Sequence, residues 1–225
     1  MSSGSGEIYR RIMTSMGELT YTSIRAEWAE ALQHIEHTAF PTADTEDLYW
    51  ADELRALALE FPEGGVVVLD GDTPVAMGLG IRVDFDFSHT QHSIRDLVGV
   101  DGGTGHVPDG AWYYGTSIAV LPDYRRRGIG KRLYDMRKQI CRDLNLSGIV
   151  AGGVIPGYAD HKDEMSAADY VAKVSAGELY DATLTMQIAN GFEARGVIAD
   201  YITDPAVDSW ASLIVWNNPD YTPGS

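Results

Sequence analysis

The chain has 225 residues and a formal net charge of −16 at pH 7, from 33 acidic and 17 basic side chains. Nucleic-acid binding requires a basic surface, so this charge excludes broad nucleic-acid binding, and it also disfavours anionic membranes. Hydrophobic residues make up 44% of the chain, which is enough for a folded core. The single cysteine, Cys141, cannot form an intrachain disulfide, and the sequence has no apolar stretch of signal-peptide or membrane-spanning length, which predicts a cytoplasmic protein.

The chain is predicted to begin with a tail, a strand and two helices. Serine and glycine are frequent in residues 1–17, which predicts a flexible tail before a single folded domain over residues 18–225. The alternating pattern of residues 18–25 predicts a strand. Apolar residues at helical spacing predict helices over residues 26–40 and 44–61.

A hairpin and a long polar loop follow. Two β-rich runs over residues 65–85 flank the turn Asp70-Gly71-Asp72, which predicts a β-hairpin. Residues 84–110 are polar, rich in glycine and too long for a plain connector. We therefore predict that they form a mobile lid or a substrate-binding loop.

The remaining elements complete a mixed sheet. Residues 111–122 form a predicted strand, and the helix after it carries apolar residues at steps of three and four, which predicts one buried face. This apolar stripe consists of Ile129, Leu133, Met136, Ile140 and Leu144. A buried strand over residues 147–155, an irregular excursion over residues 156–180, a short helix capped by Asp181 and two further strands come next. The order predicts an α/β protein with a mixed sheet of about seven strands flanked by helices.

Positive charge is concentrated at the start of the long helix, in the sequence YRRRGIGKR over residues 124–132. Glycines let a backbone approach a ligand closely, and N–H groups at a helix start attract anions, so this pattern predicts a phosphate site. A Walker loop requires glycine where Arg125 stands and serine or threonine where Arg132 stands. A dinucleotide fingerprint requires glycine where Leu133 stands, so both motifs are excluded.

What remains is Arg125-x-x-Gly128-x-Gly130, which follows a strand and opens a helix. The motif and the order of elements resemble the acetyl-CoA motif of the GNAT superfamily of N-acetyltransferases. The stretches GGVIPGY, YVAKVSAGELYDATLTMQIANGF and LIVWNNP are similar to the acetyltransferase domain often joined to a carbon–nitrogen hydrolase domain. The resemblance covers about residues 18–219 and leaves no room for a hydrolase domain. It implies the GNAT fold, in which the middle strands of the sheet splay apart.

The resemblance also implies how acetyl-CoA would be held. Backbone N–H groups from Arg126 to Lys131 would cradle the phosphates, and the basic side chains would supply charge to them. The strand at residues 118–120 would pair with the pantetheine amides where it splays from the strand at residues 147–155. The cofactor-binding residues predicted in this way are Ile118, Ala119, Val120, Arg125, Arg126, Arg127, Gly128, Ile129, Gly130, Lys131 and Arg132.

The resemblance leaves the proton chemistry open. In many members a tyrosine four residues before the glycine and phenylalanine that follow the last helix protonates the leaving thiolate, but Gln187 stands at that position here. Tyr158 and Tyr180 are the candidate catalytic substitutes, and water is a third alternative. Related domains often carry an acid where Ser117 stands and an arginine where Val154 stands. The identities of the base and of the substrate are therefore left open as well.

No metal site is predicted. His34 and His37, and His89 and His92, are three residues apart but lack acidic or cysteine companions at ligand spacing, so they are interpreted as surface residues. Cys141 adjoins the apolar stripe of the long helix and is interpreted as packed rather than reactive.

The leading hypothesis is an acetyl-CoA-dependent N-acyltransferase that moves an acetyl group to an amine of an unidentified acceptor. One alternative is a non-catalytic acyl-CoA-binding sensor or regulatory module, which the loss of the usual tyrosine favours. Another is a protein-lysine acetyltransferase, because the negative charge would steer basic tails to it. The predicted partner is a small-molecule amine or an amino group of a larger molecule, with no nucleic acid and no membrane. A homodimer is left open.

Overall fold

The computed structural model describes residues 19–98 and 104–223 of the chain. The predicted flexible tail lies outside these residues. Within them, seven strands form one sheet, in agreement with the prediction of about seven. The strands are β1 (Thr20–Ser23), β2 (Val66–Asp70), β3 (Thr73–Val83), β4 (Trp112–Val120), β5 (Gly148–Val154), β6 (Glu193–Ile198) and β7 (Ala211–Asn217).

The sheet is mixed, and its one parallel contact lies at its centre. The strands follow the order β1-β2-β3-β4-β5-β7-β6. β4 and β5 are parallel neighbours, and each of the other neighbouring pairs is antiparallel. The predicted GNAT arrangement of a mixed sheet flanked by helices is confirmed.

The parallel strands β4 and β5 share only a short ladder. They pair at Tyr113 with Ile149 and at Tyr114 with Val150. Both strands continue beyond these residues, but they have no common register there. The predicted splay of the middle strands is therefore present, and it leaves backbone groups along two facing edges outside the sheet ladder.

Helices in the described residues flank this sheet. They are α1 (Ala29–Ala39), α2 (Ala51–Glu60), α3 (Ile94–Val98), α4 (Ile129–Asp143), α5 (Ala167–Ser175) and α6 (Leu184–Ala189). The helices α3 and α5 lie in segments that the sequence predicted as irregular. In α3, a single helical stretch turns Ile94 and Val98 toward the core, although the surrounding segment is polar. In α5, the side chain of Ser166 accepts a hydrogen bond from the Asp169 N–H and caps the helix start.

The second predicted helix begins later than the sequence indicated. It was predicted over residues 44–61, but Thr45–Asp47 forms a separate 3-10 turn and α2 begins at Ala51. The carboxylate of Glu53 accepts a hydrogen bond from the Trp50 N–H at 2.8 Å. Because this bond fixes the helix start, the apolar spacing upstream of it does not continue the helix.

The long helix α4 buries a wider face than its apolar stripe. Of the predicted stripe, Ile129 and Leu133 are buried and the other three residues are partly buried. The other buried side chains of this face are Tyr134, Arg137 and Cys141. Burial raises the pKa of the Cys141 thiol to about 12, in keeping with its interpretation as a packed residue. The helix therefore presents two polar side chains, a tyrosine and an arginine, to the middle of the sheet.

Asp181 is fully buried and caps the start of α6, as the sequence predicted. One carboxylate oxygen accepts hydrogen bonds from the N–H groups of Thr183 and Leu184, each at 2.8 Å. The other accepts from the Gly157 N–H at 2.9 Å and from the Tyr170 hydroxyl at 3.0 Å. Four donors compensate for burial of the charge, and they join the start of α6 to α5 and to the segment after β5.

Replacing Asp181 with alanine is expected to lower the free energy of unfolding by about 2–4 kcal/mol, since four donors lose their acceptor. Chemical denaturation measures this change. Asp44→Ala is the matched control, because exposed Asp44 caps its turn through one bond to the Glu46 N–H at 3.0 Å and should cost about 1 kcal/mol. Equal losses in the two variants would show that the buried network adds nothing to an ordinary cap.

Candidate active site

The gap between β4 and β5 widens into a cavity of about 160 Å³. One half of its wall is formed by the splayed strands and the helices beside them. β4 contributes residues 115–118, β5 contributes residues 151–154, and the helices contribute Tyr134, Arg137 and Gln187. This half lies where the sheet ladder is open, which is where the resemblance predicts the pantetheine arm.

The other half of the wall comes from elements that are distant in sequence. α1 contributes Glu36, and the chain after it contributes Phe40 and residues 47–49. α3 and the connection from β6 to β7 complete this half, the latter with Tyr201 and Ile202. The cavity therefore joins the two edges of the splayed strands to a second surface that is mainly aromatic and aliphatic.

The start of α4 is open toward solvent and has no side-chain cap. Gly128 has a φ of 78°, and a Cβ added to it would meet no atom within 4 Å. Residues 125–128 are exposed. Because the first N–H groups of a helix have no partners within it, this position suits an anion such as a phosphate. The residues present thus fit the predicted cradle.

Three of the predicted arginines lie at this helix start. The Arg125 Nε donates to the Val120 carbonyl at 3.0 Å, so the end of β4 is bonded to the glycine motif. Arg126 is exposed and has a left-handed backbone, with a φ of 61°. The Arg127 guanidinium lies 4.8 Å from the centroid of the Tyr124 ring. These contacts place positive charge beside the open helix start.

The other predicted cofactor residues extend from the helix to the cavity. Lys131 and Arg132 are exposed on the first turn of α4. Ile118 lines the cavity, whereas Ala119 and Ile129 are buried and can offer a ligand only backbone groups. The set spans the helix start, the end of β4 and the cavity wall, and its binding of acetyl-CoA stays a prediction.

Glu36 brings a carboxyl group to the cavity. The residue is 4% exposed, and the Ser117 hydroxyl donates to its Oε2 at 2.6 Å. Burial raises the pKa of Glu36 to about 7, although the Ser117 hydrogen bond and the Arg137 charge oppose the rise. The sequence lacks an acid at position 117 of the strand, and α1 supplies one beside that position instead.

Sequence reasoning missed Glu36, although its position in α1 carried a signal. It follows Leu32 by four residues and Ile35 by one, and both of these residues are buried. Glu36 therefore continues the apolar face of the helix. A carboxyl group on a buried face is costly to fold, so such a residue marks a candidate functional site.

Two buried polar atoms on the cavity wall have no hydrogen-bond partner within the described part of the chain, Gln187 Oε1 and Arg137 Nε. The other amide atom, Gln187 Nε2, donates to the Tyr134 hydroxyl at 3.2 Å. Burial raises the pKa of Tyr134, so this hydroxyl keeps its proton at neutral pH. Buried polar groups are rarely unpaired, and these two atoms indicate that a ligand belongs in the cavity.

The structure does not bring Tyr158 or Tyr180 to the cavity. The Tyr158 hydroxyl donates to the Met165 carbonyl at 3.0 Å, and the ring packs against Tyr170. Tyr180 is 74% exposed. The catalytic role predicted for these residues has no geometric support, whereas Tyr134 lines the cavity. The sequence did not indicate Tyr134, because the resemblance gives an acid on the last helix, whereas Tyr134 lies on the long helix α4.

A second polar network reaches the cavity through Tyr201. The Tyr114 hydroxyl lies 2.8 Å from His92 Nε2 and 3.1 Å from the Tyr201 hydroxyl. The Gly152 N–H donates to the same Tyr114 oxygen at 3.0 Å. The interpretation of His92 as a surface residue is wrong, because its ring is half-buried against Phe85 and the two tyrosines.

The described part of the predicted lid is attached to the rest of the domain. The Ile94 N–H donates to the Tyr201 carbonyl at 2.8 Å, and Arg95 donates to the Leu48 carbonyl. Although the segment is polar and rich in glycine, α3 packs on the domain through buried Ile94 and Val98. Residues 99–103 lie outside the described residues, and the motion of the segment stays a prediction.

The described part of the chain lacks two kinds of feature. Over residues 19–98 and 104–223, no cluster of three or more His, Cys, Asp or Glu side chains is arranged to hold a metal ion. Over the same ranges, none of the helices combines the length and the apolar character that crossing a membrane requires.

Residues 29–157 match the model of the family described as the Acetyltransferase (GNAT) family. The match extends from α1 through β5 and includes the glycine motif at the start of α4. Since it covers more than half of the chain, the fold and the site belong to an acetyltransferase class that uses acetyl-CoA as its cofactor. The chain is a member of the GNAT family, as the motif Arg125-x-x-Gly128-x-Gly130 predicted.

Two proteins of Bacillus subtilis (strain 168) are similar in sequence. The protein named "Probable hydrolase YhcX" is 37% identical over 176 residues, which cover 77% of this chain and 34% of YhcX. The "Uncharacterized N-acetyltransferase YkwB" is 28% identical over 197 residues, which cover 87% of each protein. The chain thus spans about a third of the length of YhcX. The name of that relative agrees with the resemblance to a domain joined to a hydrolase.

Several solved structures share the fold at low sequence identity. The loading GNATL domain of CurA from Lyngbya majuscula has a TM-score of 0.76 and 17% identity, and the alignment covers 90% of this chain and 98% of that domain. The GphF GNAT-like decarboxylase in complex with isobutyryl-CoA has a TM-score of 0.72 and 19% identity, with 89% and 99% covered. Diaminobutyrate acetyltransferase EctA from Paenibacillus lautus, in complex with L-2,4-diaminobutyric acid and coenzyme A, has a TM-score of 0.53 and 12% identity, with 93% and 99% covered. These likenesses confirm the predicted fold.

Replacing Gly128 with leucine is expected to weaken coenzyme A binding at least tenfold, measured by calorimetry, because the side chain would occupy the space before the helix N–H groups. Gly177→Leu is the matched control. Gly128 and Gly177 have φ values of 78° and 77°, and a Cβ at either position would meet nothing within 4 Å. Both variants should lose a similar stability of about 1 kcal/mol. Wild-type affinity in Gly128→Leu would refute the cradle.

Glu36 is expected to make the fold less stable as the pH rises. Its folded pKa of about 7 exceeds the ordinary 4.5, so the stability present below pH 4.5 is lost as the pH rises through 7. The uncharged variant Glu36→Gln should therefore gain in Tm relative to the wild type when thermal unfolding is measured at pH 8 and not at pH 5. Glu178→Gln, which changes an exposed carboxylate, should show no such trend. A Tm difference independent of pH would contradict the raised pKa.

Proposed function

We propose that this protein transfers the acetyl group of acetyl-CoA to a primary amine bound in the cavity, with Glu36 as the general base. One observation carries this proposal: a buried carboxyl group with a pKa of about 7 lines the cavity at the splay of the strands. A general base works best when its pKa lies near the working pH. An exposed glutamate with an ordinary pKa would be a much weaker base.

The acyl donor would be bound by the half of the site that contains the splayed strands. Acetyl-CoA supplies an acetyl thioester, whose leaving group is a thiolate. The start of α4 would hold its phosphates, because Gly128 leaves the helix N–H groups open. The open edges of β4 and β5 would pair with amide groups of the arm. Of the two unpaired atoms, Arg137 Nε is a donor for a carbonyl oxygen and Gln187 Oε1 is an acceptor.

We assign Glu36 as the base that removes a proton from the acceptor amine. An amine that enters as an ammonium ion has no lone pair, and its nitrogen becomes a nucleophile only after a proton has left it. The Ser117 hydroxyl donates to Glu36 Oε2 and fixes the orientation of the carboxyl group. We assign the second carboxylate oxygen, Oε1, to the ammonium. The negative charge also favours a cation in this buried surrounding.

We assign Tyr134 as the acid that donates a proton to the leaving thiolate. Its hydroxyl oxygen accepts a hydrogen bond from Gln187 Nε2, and this bond does not use the hydroxyl proton. The raised pKa of Tyr134 keeps that proton in place at neutral pH until a stronger base is present. Gln187 thus acts on the acid as a positioning residue, although it stands where related enzymes carry the acid itself.

The acceptor is proposed to be a small molecule and not a protein tail. The cavity holds about 160 Å³, and ring side chains such as Phe40 and Tyr49 restrict it. A net charge of −16 draws cations toward the protein. EctA, whose structure contains diaminobutyric acid, is an example of this fold with a small amine substrate. The cytoplasmic location stays a prediction.

Turnover of acetyl-CoA with a panel of small primary amines tests this function, with coenzyme A and the acetylated amine both measured. The wild type should acetylate at least one amine, and kcat/KM should rise with pH through about 7 as Glu36 loses its proton. Glu36→Gln should lower kcat/KM by about 10²-fold or more and remove this rise. Tyr134→Phe should lower kcat by about 10²-fold, but the rise of kcat/KM with pH should remain. Glu178→Gln is the control for the loss of an acidic side chain.

Other results would favour other functions. Tight binding of coenzyme A without turnover of any amine would favour the sensor. Acetylation of lysine in basic peptides but not of small amines would favour a protein-lysine acetyltransferase. Release of coenzyme A without an acetylated amine would indicate hydrolysis of the thioester. Release of carbon dioxide from a carboxyl-bearing acyl-CoA, with the thioester retained, would indicate the activity that the name of GphF gives to that protein.

A further inference from the structure

Tyr201 lies at the cavity wall. Tyr201 is 2% exposed and lines the cavity together with Gly152 of β5. A Cβ added to Gly152 would lie 2.3 Å from Tyr201 Cζ, the carbon that bears the hydroxyl group. The hydroxyl-bearing end of the ring therefore packs on Gly152, beside the open edge of β5.

Donor counts fix the direction of the hydrogen bonds behind Tyr201. His92 Nδ1 lies 2.8 Å from the Thr90 carbonyl, which can only accept, so Nδ1 carries the ring proton. A neutral imidazole has one N–H group, and Nε2 is therefore an acceptor. The Tyr114 hydroxyl must donate to Nε2 across the 2.8 Å that separate them.

This leaves Tyr114 without a proton for Tyr201. The Tyr114 oxygen accepts from the Gly152 N–H at 3.0 Å and lies 3.1 Å from the Tyr201 hydroxyl. Two hydroxyl groups can exchange donor and acceptor roles by rotation, so with the Tyr114 proton on His92 we assign the proton of this contact to Tyr201. With its own proton directed at Tyr114, Tyr201 presents only oxygen lone pairs to the cavity. Such an oxygen binds N–H donors and does not bind carbonyl groups.

We propose that Tyr201 binds the acceptor amine through an N–H···O hydrogen bond, and that Tyr114 and His92 are positioning residues that keep its oxygen an acceptor. The inference rests on the proposed function for the amine as substrate. An ammonium ion has more than one N–H donor, so one nitrogen can bind both Tyr201 and the Glu36 carboxylate. Two acceptors from separate elements would orient the nitrogen lone pair that forms when Glu36 takes its proton.

Protonation of His92 would reverse the direction of the hydrogen bonds that link His92, Tyr114 and Tyr201. The Nε2–H of an imidazolium would donate to the Tyr114 oxygen, and the Tyr114 proton would turn toward Tyr201. The Tyr201 proton would then point into the cavity and oppose an N–H donor. A low pH therefore weakens amine binding through His92, independently of Glu36.

The charged groups around the hydrogen bonds of His92, Tyr114 and Tyr201 set the pH at which the direction of these bonds reverses. Besides the two tyrosines, the exposed carboxylate of Asp96 acts on His92, and the Arg137 charge acts on Tyr201 from α4. Burial lowers the pKa of His92 below its ordinary 6.5, and this outweighs the opposing Thr90 hydrogen bond and the Asp96 charge. The amine-binding direction is thus the one present at neutral pH.

Methylammonium tests amine binding without turnover. NMR titration of tyrosine-labelled protein should show methylammonium shifting the Tyr201 resonance at neutral pH. Tyr201→Phe, followed on the Tyr134 resonance, should raise the Kd about tenfold. Tyr170→Phe removes a buried hydroxyl outside the cavity and should leave the Kd unchanged.

The pH dependence is measured in a Glu36→Gln background, which removes the titration of the Glu36 carboxyl group. There, the Kd for methylammonium should rise as the pH falls through the His92 midpoint, obtained from the same spectra. Adding His92→Gln should keep the binding at neutral pH and abolish the rise, because an amide oxygen accepts from Tyr114 without titrating. His34→Phe, at an exposed histidine, should change neither result.

Several results would overturn the inference: no shift of Tyr201, a wild-type Kd in Tyr201→Phe, or an unchanged pH dependence with His92→Gln. Failure of the inference is distinguishable from failure of the proposed function. If methylammonium binds as expected and no amine is acetylated, the inference stands and the function fails. If amines are acetylated and Tyr201→Phe has a wild-type KM, the function stands and the inference fails.

Discussion

The site depends on one constraint, the end of hydrogen bonding between β4 and β5 beyond Tyr114 and Val150. A continued ladder would consume the backbone groups of both edges and close the cavity. The Tyr114 hydroxyl oxygen accepts a hydrogen bond from the Gly152 N–H, two residues past the last paired residue of β5, so a side chain takes the place of the neighbouring strand. Glycines at the open edge leave room for Tyr201 and Gln187, whose side chains would lie within 3 Å of a Cβ at Gly152 or Gly153.

A buried cation, Arg137, stabilises the gap between β4 and β5 through hydrogen bonds to the sheet. β3 and β4 change register between Leu79 and Gly80. The guanidinium of Arg137 donates to the carbonyls of Leu79 and Ser117 at this irregularity. The same buried cation opposes the rise in the pKa of Glu36. Arg137 therefore has two roles, since it bonds to the sheet and also favours the ionised form of the proposed base.

The half of the site that is proposed to bind the cofactor was predictable because it is local in sequence. The end of a strand, a glycine turn and a helix start lie within residues 118–132, and their spacing alone excludes other phosphate motifs. The acceptor half is not local. It combines α1, α3 and Tyr201, which are far apart in the sequence. No short sequence motif can therefore include all three. The network of His92 could not be read from the sequence, since its partner Tyr114 is one of several aromatic residues in β4.

The errors in the fold prediction have a similar cause. Short helices such as α3 and α5 are embedded in polar segments, where few apolar residues are available to define a period. Local side-chain caps, as at Trp50, end or begin a helix against the apolar pattern. The mixed sheet and the splay of its middle strands were predictable because β4, the glycine turn and α4 form one continuous unit, which carries the resemblance to the family.

The helix α4 has a consequence for how the two substrates are bound. Its first turn is the proposed anion site, and Arg137, two turns further along the same rigid element, stabilises the ionised form of Glu36. An anion at the helix start and a negative charge on Glu36 therefore draw on the same positive potential. By linkage, each disfavours the other: a bound polyanion raises the proton affinity of the carboxyl group, and an ammonium ion that neutralises Glu36 restores the affinity for the polyanion. On the proposed function, the acyl donor and the amine acceptor would thus be coupled electrostatically through α4.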